Sequence, residues 1–258
     1  MINERVFLRL PLKFEKDVVI YPPTVNDVVG DPFFHIYHQF LTMTQEDIEC
    51  EIIENYEKAN PTKIMSSFEG IVVPTPFEYL LIAVMQDKRI ETIVKQGFER
   101  LLHQPVSFIR GQRMIIIGDT KQILEQKKSV DEIAILNADN YFKFQNIVRQ
   151  CCGDKEEEPP RPDEHFRIKK MRVKSRQRDK VKAKQDGISL ATTLVAICCM
   201  NLGLTPLNIG EISYASVSAL MRMSQNKEKY EIDIQSMLAG AKNVKVKQWI
   251  RDYDKDKD

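Results

Sequence analysis

The amino-acid sequence predicts an α+β fold: a helix-rich N-terminal domain with two short β-hairpins, followed by an all-α helical C-terminal domain. Three observations predict it. Helix-start signals recur along the first 152 residues, at Asp31-Pro32, at Thr44 with Asp47, at Thr75-Pro76 with Glu78, and at Asn137. Two pairs of short β-branched or aromatic runs are each split by a few polar residues. The stretch after Gly153 is acidic, then basic, and too poor in apolar residues to extend a core, so it divides the chain.

Taken in order, residues 6–14 and 18–21 flank Glu15, Lys16 and Asp17 and read as a first hairpin, ended by Pro22 and Pro23. Asp31 and Pro32 open a helix carrying Phe33, Phe34, Ile36, Tyr37, Phe40 and Leu41 at helical spacing, and Thr44 opens a second through Tyr56. Thr75 as cap, Pro76 in the first turn and Glu78 at the third position predict a helix through Val84 or Met85. Residues 88–102 place Ile90, Ile93, Val94, Phe98, Leu101 and Leu102 on one helical side. Residues 106–109 and 114–117 form the second expected hairpin, with Gly111 as its turn glycine. Asn137 caps a helix with Tyr141, Phe142, Phe144, Ile147 and Val148 on its apolar face, stopped at Gly153.

Past that point, residues 153–186 read as an acidic, proline-containing linker and a basic solvated helix. The helical domain, 187–250, begins with an uncharged helix to about Leu202 that is apolar all round, and is therefore expected at the buried centre of its domain. Ile212, Ala215, Ala219, Leu220 and Met223 mark a further helix, and Tyr230, Ile232, Ile234, Met237 and Leu238 another, stopped at Gly240. Residues 251–258 alternate Asp and Lys and read as a frayed tail.

Composition narrows the function classes. With 258 residues, 43% hydrophobic, 29% charged and a net charge of +1, the chain is long enough for two modest cores and has no global attraction to nucleic acid or anionic lipid. The uncharged run 187–210 is interrupted by Ser189, Thr192, Thr193, Asn201 and Pro206, short of the ~20 apolar residues of a membrane span. Five cysteines, four of them in the vicinal pairs Cys151-Cys152 and Cys198-Cys199, fit a reducing compartment, and residues 1–12 lack a signal-peptide pattern; the expectation is a cytoplasmic protein.

No catalytic constellation emerges. The ten glycines allow no phosphate-binding or nucleophile-elbow spacing, and the expectation is a non-enzyme with no cofactor and no metal. His35 and His38, three apart on an aromatic-rich helix, read as packing residues rather than metal ligands. Cys198 and Cys199 read as core, and Cys151 and Cys152 as packing thiols. One feature has a partner written into it: Arg167, Lys169, Lys170, Arg172, Lys174, Arg176, Arg178 and Lys180, continued by Lys182 and Lys184, fall on nearly every second position. Clustered cations of this kind dock an acidic protein surface, neutralise nucleic-acid phosphates, or are balanced by the acidic linker beside them. Met221, Met223 and Met237, flexible apolar side chains on expected helices, are the other candidate partner contacts.

The runs RLPLKFEKDVVIYPPTVNDVV, PTPFEYLLIAV and NADNYFKFQNIVRQCCG, then EPPRPDE and the basic helix, then ISLATTLVAICCMNLGLTPLNIGEISYASV and YEIDIQSMLAGA, occur in this order. In that order the chain resembles tail assembly chaperones encoded in the tail-morphogenesis clusters of phages and prophages of low-GC Gram-positive bacteria. The resemblance implies a protein of the bacterial host cytoplasm that coats the aggregation-prone tape measure protein and recruits tail-tube subunits. Apart from the resemblance, self-association is a further expected partner mode. The alternative, from the basic segment alone, is a nucleic-acid-binding accessory or structural virion protein.

Overall fold

The computed structural model describes residues 4–60, 71–119, 133–154, 168, 170–172, 175, 178, 189–200, 203–241 and 246. The expected acidic linker, apart from Gly153 and Asp154, and the tail 251–258 lie outside the described residues. The fold is α+β, mostly helical, with one two-stranded and one three-stranded antiparallel sheet among the described residues.

The N-terminal segment departs from the expected long hairpin. Its start is a helical turn, α1 (Glu4–Phe7), with Val6 fully buried. The amides of Leu8 and Arg9 bond back to the carbonyls of Glu4 and Val6, and Arg9 turns the chain at φ 60°. Only β1 (Leu12–Lys13) and β2 (Val19–Ile20) remain extended, with Leu12 opposite Ile20. A short helix, α2 (Val25–Gly30), follows; its cap is a box between Thr24 and Asp27.

The central helices are α3 (Phe34–Thr42), α4 (Gln45–Ala59), α5 (Pro76–Gln86), α6 (Lys88–Leu102) and α7 (Ala138–Cys152). Thr44, Thr75 and Asn137 cap α4, α5 and α7 as their side chains dictate, each also donating its backbone amide to the side chain of the third helical residue. Asp31 instead accepts from the Phe33 amide two residues on, ahead of α3. Gly97 lets α3 and α6 cross closely: a Cβ there would stand 2.5 Å from the Tyr37 ring.

Helix α7 organises the core. Phe144 meets Phe14 edge-on at 5.5 Å and Phe98 at 5.3 Å. The same helix buries two polar side chains, Gln145 and Arg149, and the end of α3 explains them. Gln145 Nε2 donates to the carbonyls of Leu41 (3.2 Å) and Met43 (2.9 Å), and Arg149 Nη2 to that of Thr42. These are carbonyls that a helix terminus leaves without intrahelical partners, and a cation there also complements the helix dipole.

The three-stranded sheet runs β3 (Val106–Ile109), β4 (Met114–Ile117) and β5 (Ala134–Leu136), all antiparallel, with Ile115 between Phe108 and Leu136. The hairpin turn differs from expectation: residues 110–112 form a 3₁₀ turn and the left-handed residue is Arg113, at φ 48°, rather than Gly111.

The C-terminal part holds α8 (Leu190–Cys199), a 3₁₀ turn at Ile209–Glu211 and α9 (Tyr214–Leu238). The two helices expected over 212–238 are one continuous helix, because residues 224–229 are polar yet contain no glycine or proline to break it. This part is joined to the N-terminal one by backbone bonds from the Tyr214 amide to the Pro23 carbonyl and from the Val25 amide to the Ile212 carbonyl. Ala215 enters the main core, where Gly153, at φ 80°, closes α7 against it. A second, small cluster unites Val25, Ile197, Ile209 and Val217.

Candidate partner-binding surfaces

Electrostatic pairing within the chain claims part of the basic segment. Ile168, Lys170, Met171, Arg172, Ser175 and Arg178 are helical; Arg167, Lys169, Lys174, Arg176 and Lys180 lie outside the described residues. Lys170 Nζ sits 2.9 Å from Glu57 Oε1, with its side chain only 13% exposed, and Arg172 pairs with Glu46. Both acceptors belong to α4, which carries Glu46, Asp47, Glu49, Glu51, Glu54 and Glu57 against Lys58 alone. Eleven residues separate Glu46 from Glu57, three helical turns, so they share a face. The signal for this docking is the acidic bias of α4; the acidic linker is the nearer counter-charge in sequence alone. Arg178, like Ile168 and Met171, faces solvent.

Helix α8 overturns an expectation. Of its ten residues only Ile197 is buried; Ala191, Val195 and Cys199, four apart, line an exposed apolar strip with Val195 64% exposed. An all-apolar helix is buried when neighbours surround it, and here the described neighbours cover one side only. Leu207, in the loop that follows, is 96% exposed. Cys198 is half-buried against the small C-terminal cluster, whereas Cys199 is exposed and is not the core thiol expected.

The methionines divide. Met221 packs half-buried against the small C-terminal cluster, whereas Met223 and Met237 are exposed on α9. Past Val217 no described residue of α9 is buried.

A polar cleft of about 230 Å³ lies between Tyr21, Pro22, Pro23, Asp27, Tyr37, Arg100, Leu101 and His103. His103, held at φ 51° beyond the end of α6, stacks on Tyr21 at 3.9 Å. Beside the cleft, Asp31 is buried and pairs with Arg100 Nη1 at 2.9 Å. Burial first, then the Asp31 carboxylate, pushes the Tyr37 hydroxyl above its ordinary pKa. The Asp31 carboxylate is held by Arg100 and by the Phe33 amide.

Burial pushes the Cys151 thiol up to about 12 and raises Cys152 well above the ordinary thiol value, which suppresses the reactive thiolate. Among the described residues no three His, Cys, Asp or Glu side chains converge as a metal site, and His38 instead lies 2.8 Å from Asp154 and stacks on Phe34. No described helix is long and apolar enough to cross a membrane. No protein-family model, curated protein or solved structure matches this chain.

Proposed function

We propose that this chain is a non-enzymatic assembly factor that binds apolar segments of other proteins, and that its role is that of a tail assembly chaperone for the tape measure protein and tail-tube subunits. The observation that carries the binding role is the uncovered apolar strip of α8, Ala191, Val195 and Cys199, followed by Leu207 in the next loop. Apolar surface left in water is what a binder of aggregation-prone segments offers, and Met221, half-buried against the C-terminal cluster, supplies a side chain that adapts to varied partners. The tail-specific role rests on the ordered resemblance of the sequence runs, and it implies the cytoplasm of a bacterial host cell.

Co-expression with fragments of a tape measure protein tests both levels. The expected outcome is that a fragment insoluble alone moves to the supernatant and copurifies with this chain, and that Val195→Asp with Leu207→Asp abolishes the capture. Failure to copurify with any tape measure fragment or tail-tube protein overturns the tail role.

A further inference from the structure

We propose that the distal half of α9 pairs antiparallel with the same segment of a second copy of this chain. The inference stands on α9 itself and does not depend on the tail role. Leu220, Met223, Lys227, Tyr230, Ile234 and Met237 follow one another at alternating steps of three and four residues, the spacing of a coiled-coil seam. The seam spans about 25 Å of helix. Of the seam residues only Leu220 belongs to the C-terminal core cluster, while Met223 and Met237 are 45% and 47% exposed.

Charge decides the occupant and its direction. Arg222, Lys227 and Glu228 precede the seam's midpoint, between residues 228 and 229, for a net charge of +1, while Lys229, Glu231 and Asp233 follow it, for a net charge of −1. A second copy laid parallel sets cations on cations and carboxylates on carboxylates. Laid antiparallel, it sets the basic half of each helix against the acidic half of the other and opposes the helix dipoles. The same two-fold arrangement is self-complementary, as a closed dimer requires. It stacks Leu220 on Met237, Met223 on Ile234, and Lys227 on Tyr230 of the second copy. Lys227, which in the single chain lies 3.9 Å from Glu231, then finds an aromatic face and a second set of carboxylates. A lysine inside the seam weakens the dimer but selects this register. A seam of this length falls at the small end of specific interfaces, below ~1,200 Å², so a dissociation constant on the order of micromolar follows.

Sedimentation equilibrium of the full chain, at concentrations from about 1 to 200 μM bracketing that constant, tests the pairing. The expected mass rises from 30.0 kDa toward twice that value, and added salt moves the rise to higher concentration. Met223→Glu with Met237→Glu, at exposed positions that leave circular dichroism unchanged, weakens association at least about tenfold. For direction, Met223→Cys and Ile234→Cys chains are prepared separately in a Cys199→Ser background. Their mixture gives a mixed disulfide, whereas each alone does not, because antiparallel pairing holds like positions about 16 Å apart along the axis. A monomer at every concentration, a dimer indifferent to the double Glu variant, or single-variant disulfides as abundant as mixed ones each overturns the proposal. Copurification with a tape measure fragment is a separate readout, so either idea can fail alone.

Discussion

Helices α7 and α9 are both continuous and uninterrupted by glycine or proline, yet they live in opposite surroundings. In its 15 residues α7 buries eight side chains, from Tyr141 to Cys152, whereas α9 buries three of 25, Ala215, Ser216 and Val217, all within its first turn or so. Backbone hydrogen bonds and propensity therefore suffice to draw a helix, and packing decides what the helix is for. The buried one holds the core together and closes the end of α3; the uncovered one leaves Met223, Ile232, Met237 and Leu238 exposed.

The widest gap between the two should appear on deleting apolar bulk. Phe144→Ala is expected to cost about 3–5 kcal/mol of unfolding free energy, against less than about 0.5 for Ile234→Ala measured at concentrations where the chain is monomeric. Similar losses in urea titrations would mean that α9 is as tightly packed as α7 and would break the comparison.

Polar substitutions sharpen it. Gln145→Leu removes the donor to the Leu41 and Met43 carbonyls and should cost about 1–3 kcal/mol, while Asn226→Leu on α9 should stay within about 0.5. Glycines discriminate on the same principle: Gly97→Ala drives a methyl into Tyr37 and should cost about 1–3 kcal/mol, whereas Gly30→Ala meets open space and should lie within about 1 kcal/mol of neutral. Thermal midpoints of the two variants check this pair.

Smaller effects belong to surface charges. A double-mutant cycle on Lys170→Gln and Glu57→Gln should return a coupling of about 0.2–1 kcal/mol that shrinks with salt; a value near zero would mean that the basic segment is not held on α4. The smallest effect concerns acid. The Thr75 amide first, and its hydroxyl second, hold the Glu78 carboxyl below the ordinary carboxylate range. A carboxyl depressed in the folded state stabilises it above the unfolded value of about 4.3, and the contribution is lost as pH falls through the folded value. Glu78→Gln should therefore lower stability slightly near pH 6, with the difference shrinking as pH falls below the unfolded value of about 4.3, read from urea midpoints at each pH.

Much of the helical framework could be read from the chain because capping is local. Thr44, Thr75 and Asn137 reach only three residues ahead, so their boundaries owe nothing to distant partners. The first strand failed for the opposite reason: residues 6–10 have strand-like composition, but burial of Val6 and the reversal at Arg9 make them a helical turn. Strand β5 carries only three residues and acquires its identity from pairing with β4. Among candidate contacts, the methionines and basic residues were visible as residue types. Which of them face water, and which already hold an acid of the same chain, was not.

The sequence by itself determined what depends on neighbours a few residues away: the α+β class, the starts of α4 to α7, the glycine stop after α7, and the two hairpins' strand pairs in outline. Tertiary structure alone decided that Gln145 and Arg149 serve the end of α3, that α4 receives Lys170 and Arg172, that α8 is covered on one side only, and that α9 runs on uncovered beyond Val217. The physical reason is range. Caps and turns are completed within one helical turn of backbone, whereas burial and charge pairing belong to surfaces that meet only after the chain has folded.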